Sequence, residues 1–191
     1  YLLICAGFAA AATITPKEPS LKEGCYQIGT AAELFGFAEI LNQRSYDNPA
    51  LVCAKLTDNI VINKNVLDED GDLISSKAKD LVAWTPVSFA GLFDGNGKTI
   101  SGLYVNDTTL MMVGLFSVVG FAANGDSAVV KDLGIEDSYF YGKYKNTNDP
   151  YIGSIFATTT TTAAYTKISN CYSNATIEGW GIIGGLVGWN G

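Results

Sequence analysis

The sequence predicts an all-β solenoid closed at its N-terminal end by an α-helix, on three observations. Two short motif families recur in alternation through the second half of the chain. The composition favours short strands and tight corners, with 21 glycines, 10 tyrosines and only 16% charged residues. Only one segment carries a helical period, and it precedes the repeats.

The first residues, YLLICAGFAAAAT, hold an apolar run from Leu2 to Ala12 that is too short to span a bilayer and ends in small residues. Residues 1–12 read as the remnant of a secretory signal peptide, with Ala10 and Ala12 setting an A-x-A cleavage site before Thr13. The missing Met and basic n-region predict a start inside that leader. A lipid anchor on Cys5 is the rival reading, but Ile4 stands where a small residue is expected. The mature chain is expected to be secreted or at the cell surface, with no transmembrane segment.

Residues 13–24 form a polar leader, and residues 25–191 the repeat domain. Thr30 and Glu33 make a capping box, followed by Leu34, Phe37, Ala38 and Leu41 at i, i+3, i+4 and i+7, which predicts a helix over about 31–43. ALVCAKLTDNIVIN then reads as two strands broken at Thr57-Asp58-Asn59, and LDEDGDLISSKAKD as a solvated loop. An export signal permits a disulfide. Cys25 and Cys53, which open two short apolar segments, are the candidate pair, while Cys171 reads as a free, buried small hydrophobe.

The repeats follow. TISGLYVN (99–106), VVKDLGIEDS (129–138) and KISNCYSNAT (167–176) align with Ile100, Val130 and Ile168 in one column, Leu103, Leu133 and Cys171 in a second, and Val105, Ile135 and Ser173 in a third. MVGLFS (112–117), YIGSIFA (151–157) and IIGGLVG (182–188) align on Gly114, Gly153 and Gly184, spaced 39 and 31 residues apart. Short strands repeating at this period, with no helix between them, predict coils stacked about 4.8 Å apart with like residues over like. Gly95 and Gly97 are expected to supply positive φ for a tight turn, and Gly91 and Gly102 corners or close approaches. The helix is expected to cover the N-terminal end. GGLVGWNG stops inside a repeat, which predicts that the protein continues beyond Gly191.

The blocks MVGLFS, YIGSIFA and IIGGLVGWNG resemble the GLUG motif of large secreted and surface-exposed bacterial proteins. YQIGTAAELFGFAEILN, AKLTDNIVIN, WTPV and FAGLFDGNGKTISGLYVN stand upstream in the expected order, so the resemblance spans about residues 25–191. It implies a right-handed parallel β-helix, as in adhesin-like proteins and as an accessory region of peptidases, and carries over no catalytic residue. The first copy is one residue short, and the second has Ser154 and Ala157 where glycine is commoner.

Chemistry is sparse. The chain has no histidine, which excludes His-based triads and the usual zinc sites, and a net charge of -7 without a basic cluster argues against a nucleic-acid partner. Asp132 and Glu136, four residues apart on one strand face, are separated by about 13 Å, beyond the roughly 5 to 9.5 Å of a glycosidase pair. The alignment surrounds them with Gly102 and Asn170, and with Asn106 and Asn174, rather than with a second carboxylate. Asp68 to Asp72 does not fit a calcium loop of the EF-hand kind, since Val66 and Lys77 would take the first and twelfth positions. No catalytic, cofactor or metal residue is assigned. Tyr104 and Tyr172, in one outward column with Gly134 between them, are the candidate glycan-stacking aromatics. Tyr139, Tyr141, Tyr144, Trp180 and Trp189 are the wider set, against the alternative that all cover the flank of the solenoid. The Thr158–Thr166 run reads as a polar loop or strand extension.

The sequence therefore leads to a noncatalytic exported segment for adhesion, glycan contact or structural display, with a glycan or a host or cell-surface protein as partner. The alternative is an accessory domain of a secreted polysaccharide-acting enzyme or peptidase whose catalytic part lies elsewhere.

Overall fold

Thr30 is extended (φ -140°) and its hydroxyl accepts the Glu33 N–H at 3.2 Å, which starts helix α1, Ala31–Asn42. The Glu33 carboxylate reaches back to the Gly29 N–H at 2.9 Å and takes Lys17 at 2.8 Å, so the capping box closes one residue earlier than the usual form. Leu34, Phe37, Ala38 and Leu41 are buried, as their spacing predicts. α1 follows strands β1 (Ser20–Lys22) and β2 (Cys25–Ile28), which pair antiparallel. The computed structural model describes residues 12–43, 51–119, 127–143, 149–159 and 165–191. Residues 1–11 with Cys5, Tyr144 and the middle of the threonine run lie outside the described residues.

From β2 onward every pairing between named strands is parallel. β3 (Val52–Leu56) lies on β2, and β4 (Ile60–Val61) continues that rung. After an excursion the chain returns in β5, Val87–Phe89. The first full coil is β6 (Gly91–Ser101), β7 (Tyr104–Asn106), β8 (Met112–Val113) and β9 (Phe116–Val119). The second is β10 (Ser127–Glu136), β11 (Tyr139–Lys143), β12 (Tyr151–Ile152) and β13 (Phe156–Thr159). The third is β14 (Tyr165–Ser169), β15 (Tyr172–Ser173), β16 (Thr176–Trp180), β17 (Ile182–Ile183) and β18 (Val187–Asn190). Equivalent strands make four sheets, so the protein is a parallel β-helix of about three turns with a helix at its first rung.

Columns of like residues run up the interior, as a hydrophobic core built by stacking requires. Tyr26, Ala54, Phe93, Val130 and Ile168 form one; Val87, Phe116, Phe156 and Val187 form another. Phe37 of α1 enters this core beside Tyr26, Phe89 and Phe93, with ring centroids 5.8, 6.5 and 6.2 Å away. The helix thus covers the N-terminal end. The polar leader is part of that cap, since Lys17 N–H donates to the Ala32 carbonyl and Pro19 is buried.

The predicted columns hold between the second and third coils, where Val130 faces Ile168 and Ile135 faces Ser173. They fail in the first. Ile100 faces Ile135, not Val130, and Val105 faces Phe140. Leu103 lies beside Ser138, whose hydroxyl accepts its N–H, and so does not stack on Leu133. The cause is a corner of unequal length: between paired residues the first coil spends Gly95, Asn96 and Gly97 where the second spends Asp132 alone. Asn96, Asp132 and Asn170 turn this corner with φ of 54°, 53° and 52°. Short polar side chains tolerate that left-handed conformation, so the positive φ predicted for Gly95 falls on Asn96.

The second motif family stacks as aligned. Val113, Ile152 and Ile183 are in register, and the chain turns after each at Gly114, Gly153 and Gly184. A Cβ on Gly153 would stand 2.3 Å from the Phe156 carbonyl oxygen and 2.6 Å from the Gly188 nitrogen. The close approach of backbone from its own coil and the next is what requires glycine at this corner.

Candidate functional site

The outer face of the coils holds Asp94, Lys131, Asp132 and Glu136. Asp132 sits on the bulge of β10, which takes it off the face it was expected to share with Glu136. Its Oδ1 accepts from the Asn170 amide at 2.6 Å and its Oδ2 from Lys131 at 3.3 Å. These contacts hold its carboxyl below the usual range, the Asn170 bond contributing most. Lys131 also pairs with Asp94 at 2.9 Å, and its ammonium is pushed up by Asp94 first and Asp132 second. Glu136 faces Ser101, not Asn106, and accepts the Tyr172 hydroxyl, which pushes that phenol up. Each acidic group is thus engaged by a neighbouring coil.

Tyr172 is 51% exposed, and its ring lies over Gly134, where a Cβ would come within 2.5 Å of it. Trp189 stacks on Tyr151 with centroids 5.4 Å apart, and Trp180 takes the Lys143 ammonium at 5.2 Å from its centroid. Tyr172, Trp180 and Trp189 of the third coil are therefore each laid on a partner in the second, while Tyr165 at the start of β14 is 52% exposed.

Tyr104 is elsewhere. It faces Tyr139, the rings 6.2 Å apart and 24° from parallel, and is 9% exposed. This corrects the expectation of a shared outward column with Tyr172: Thr99 is the first-coil partner of Gly134. The polar excursion supplies the cover. Val66 and Leu81 pack on the two tyrosines, with Leu67, Leu73 and Ala78 against the same cluster. Leu67 N–H donates to Asp137 Oδ1 at 2.9 Å, and the Thr176 hydroxyl donates to the Gly71 carbonyl. What reads as a solvated loop is a packed flap over the tyrosine ladder. Burial, aided by Glu178 accepting the Tyr139 hydroxyl at 2.8 Å, pushes the Tyr139 phenol far up.

Within the flap, Asp68 Oδ1 accepts the N–H groups of Asp70 and Asp72 at 3.0 and 2.9 Å. That carboxylate builds a turn. Among the described residues no cluster of three or more His, Cys, Asp or Glu is arranged to hold a metal. Buried Asn63 anchors the flap's return: its amide exchanges two bonds with Val82 and donates a third to the Gly102 carbonyl. Asn63 and the Asn96–Asp132–Asn170 corner are the structural residues the sequence reading missed. Their one signal is an Asn or Asp at a strand end or corner, and only Asn96 has glycine beside it.

Two concave features accompany these groups. A cleft of about 330 Å³ opens at the flap's foot between Ala83–Thr85 and the turn after β7, lined by Trp84, Asn106, Asp107 and Leu110. A shallower apolar groove of about 360 Å³ lies by Leu51, Leu92 and Val129. Beside that groove Cys25 and Cys53 stand in register, Cα atoms 4.4 Å apart, and form a disulfide that closes the loop containing α1. Cys171 is a half-buried free thiol, pushed up by desolvation.

Fold and surface together define a parallel β-helix whose outer carboxylates and aromatics join coil to coil. No family profile matches the chain, and no solved structure matches it. It is 31% identical over 194 residues to Halomucin of Haloquadratum walsbyi, a similarity that takes in 93% of this chain and 2% of Halomucin. The chain thus corresponds to a small part of that relative's length. Among the described residues no helix is long and apolar enough to cross a membrane.

Proposed function

We propose that this chain is a noncatalytic β-helical segment of an exported surface or secreted protein, serving adhesion or structural display against a glycan or a cell-surface protein. The observation that carries this reading is the use of the outer polar groups: Asp132, Glu136 and Lys131 are each tied to another coil, which leaves a rigid rod rather than a reactive cleft. The GLUG resemblance and the similarity to a short stretch of Halomucin support a segment that extends a long protein. The Cys25–Cys53 bond supports an oxidising compartment.

Protease treatment of intact cells, followed by immunoblotting for this segment, tests the location. Loss of the segment while cytoplasmic markers survive is expected; full protection would reject it. A glycan array probed with the folded chain then divides the two partner classes, and binding to no glycan leaves the protein partner.

A further inference from the structure

We infer that Asn106 and Asn174 are acceptor sites for N-linked oligosaccharide. This rests on the export reading, because the transferring enzyme works outside the cytoplasm. Only these two asparagines in the chain are followed at the second position by Ser or Thr, in Asn106-Asp107-Thr108 and Asn174-Ala175-Thr176. The fold exposes both. Buried Asn63, whose amide is tied at both ends, has Asn65 at that position instead.

The local geometry leaves each amide nitrogen able to react. Asn106 ends β7, on the lip of the flap-foot cleft, and its Nδ2 gives one hydrogen to the Tyr104 hydroxyl at 3.0 Å. The other hydrogen is the one a sugar replaces, so a glycosylated side chain keeps a donor for Tyr104. Asn174 precedes β16 and uses its Oδ1, not its nitrogen, to accept the Asp137 N–H at 3.3 Å. In the transfer, Nδ2 bonds to the anomeric carbon of a lipid-phosphate-activated oligosaccharide. The bond from that carbon to the phosphate oxygen breaks, the lipid phosphate leaves, and the nitrogen gives its proton to a base of the transferase, with no change of oxidation state.

Asn106 ends a strand, whereas Asn174 stands in the corner between β15 and β16. Asn106 aligns through Tyr141 with Glu178, four residues beyond Asn174. The two acceptors therefore lie two coils apart, Asn106 at the end of its strand and Asn174 two residues ahead of β16. They differ in timing. The Thr176 hydroxyl, which the transferase must engage, is held by the Gly71 carbonyl once the third coil has packed on the flap. Asn174 must be modified before that contact forms, whereas Asn106 stays available afterwards.

The test is secretion of the full chain from an N-glycosylating eukaryotic host, then peptide N-glycosidase in heavy-oxygen water and mass spectrometry. Heavy-labelled aspartate is expected at positions 106 and 174, with N106Q and N174Q each migrating one step faster on a gel and T108A and T176A doing the same. Unmodified folded chain given the transferase and its lipid donor in vitro should accept sugar at Asn106 alone. Circular dichroism of the variants confirms that they fold. A secreted, disulfide-bonded chain with neither asparagine labelled overturns the inference. Because this host forces secretion, that result leaves the export reading standing, whereas protection of the native protein on intact cells sinks the export reading, and native glycosylation with it, whatever the labelling shows.

Discussion

The first rung and the third coil hold the same interior columns at different depths. At the first rung the apolar interior is covered by α1, the rung is joined to the next by Cys25–Cys53, and Phe37 is 1% exposed. In the third coil the same columns continue through Ile168, Ile177, Ile183 and Val187, but Ile183 is 45% exposed where its column partners Val113 and Ile152 are fully buried. Identical column membership thus gives different burial. A residue in a stack is buried by the coils on both its sides, so stability here is a sum of neighbour interfaces.

The largest effect that sharpens this contrast comes from one column truncated at two heights. Phe156→Ala removes a fully buried ring packed 5.3 Å from Phe116, and should cost about 3–5 kcal/mol. Val187→Ala, its half-buried partner one coil on, should cost roughly 1 kcal/mol or less. Paired urea melts measure both. Equal losses would break the comparison.

Reducing Cys25–Cys53 should come next, at roughly 3–4 kcal/mol for a bridge between residues 28 apart in sequence. Hydrogen exchange with and without reductant should show faster exchange in α1 and β2 and unchanged exchange in β16–β18. Uniform acceleration would mean that the cap is not a separate unit.

The glycine corners then offer a smaller, cleaner pair. Gly153→Ala forces a Cβ against two backbone atoms and should destabilise by about 1–3 kcal/mol, while Gly185→Ala meets nothing within 4 Å and should be near neutral. Thermal melts of the two variants decide it.

The smallest effect is the pH response of the cap. Lys17, then the Gly29 N–H, hold the Glu33 carboxyl below its ordinary value. Its contribution is present above the unfolded value near ~4.3 and is lost as pH falls through the folded one. Lys17 is largely exposed, so Glu33→Gln should cost under about 1 kcal/mol and flatten this acid loss. A stability profile from pH 7 down to 3 reads it out.

What the sequence revealed follows how local the information is. The α1 cap and its buried face depend on residues within two turns, and Thr30, Glu33 and Leu34 to Leu41 state them directly. The glycine corners were legible because each family is a short block with one fixed point. The first-coil register was not, since nothing in DGNG says that its corner spends three residues where the next spends one. The sequence places Tyr104 on the surface for a related reason. Strand alternation says which side of a sheet a residue takes, but whether a flap tens of residues upstream folds over that side is a long-range fact. The acidic run Asp68 to Asp72 looked solvated because its charges are exposed, while Leu67 and Leu73 beneath them do the packing.

The account depends most on parallel coils stacked in one register. Interstrand nuclear Overhauser effects on the labelled chain test this directly. Contacts of Val130 with both Phe93 and Ile168, and of Ile135 with Ile100, in the parallel pattern are expected; contacts between Ile100 and Val130, or an antiparallel pattern between β6 and β10, would contradict it.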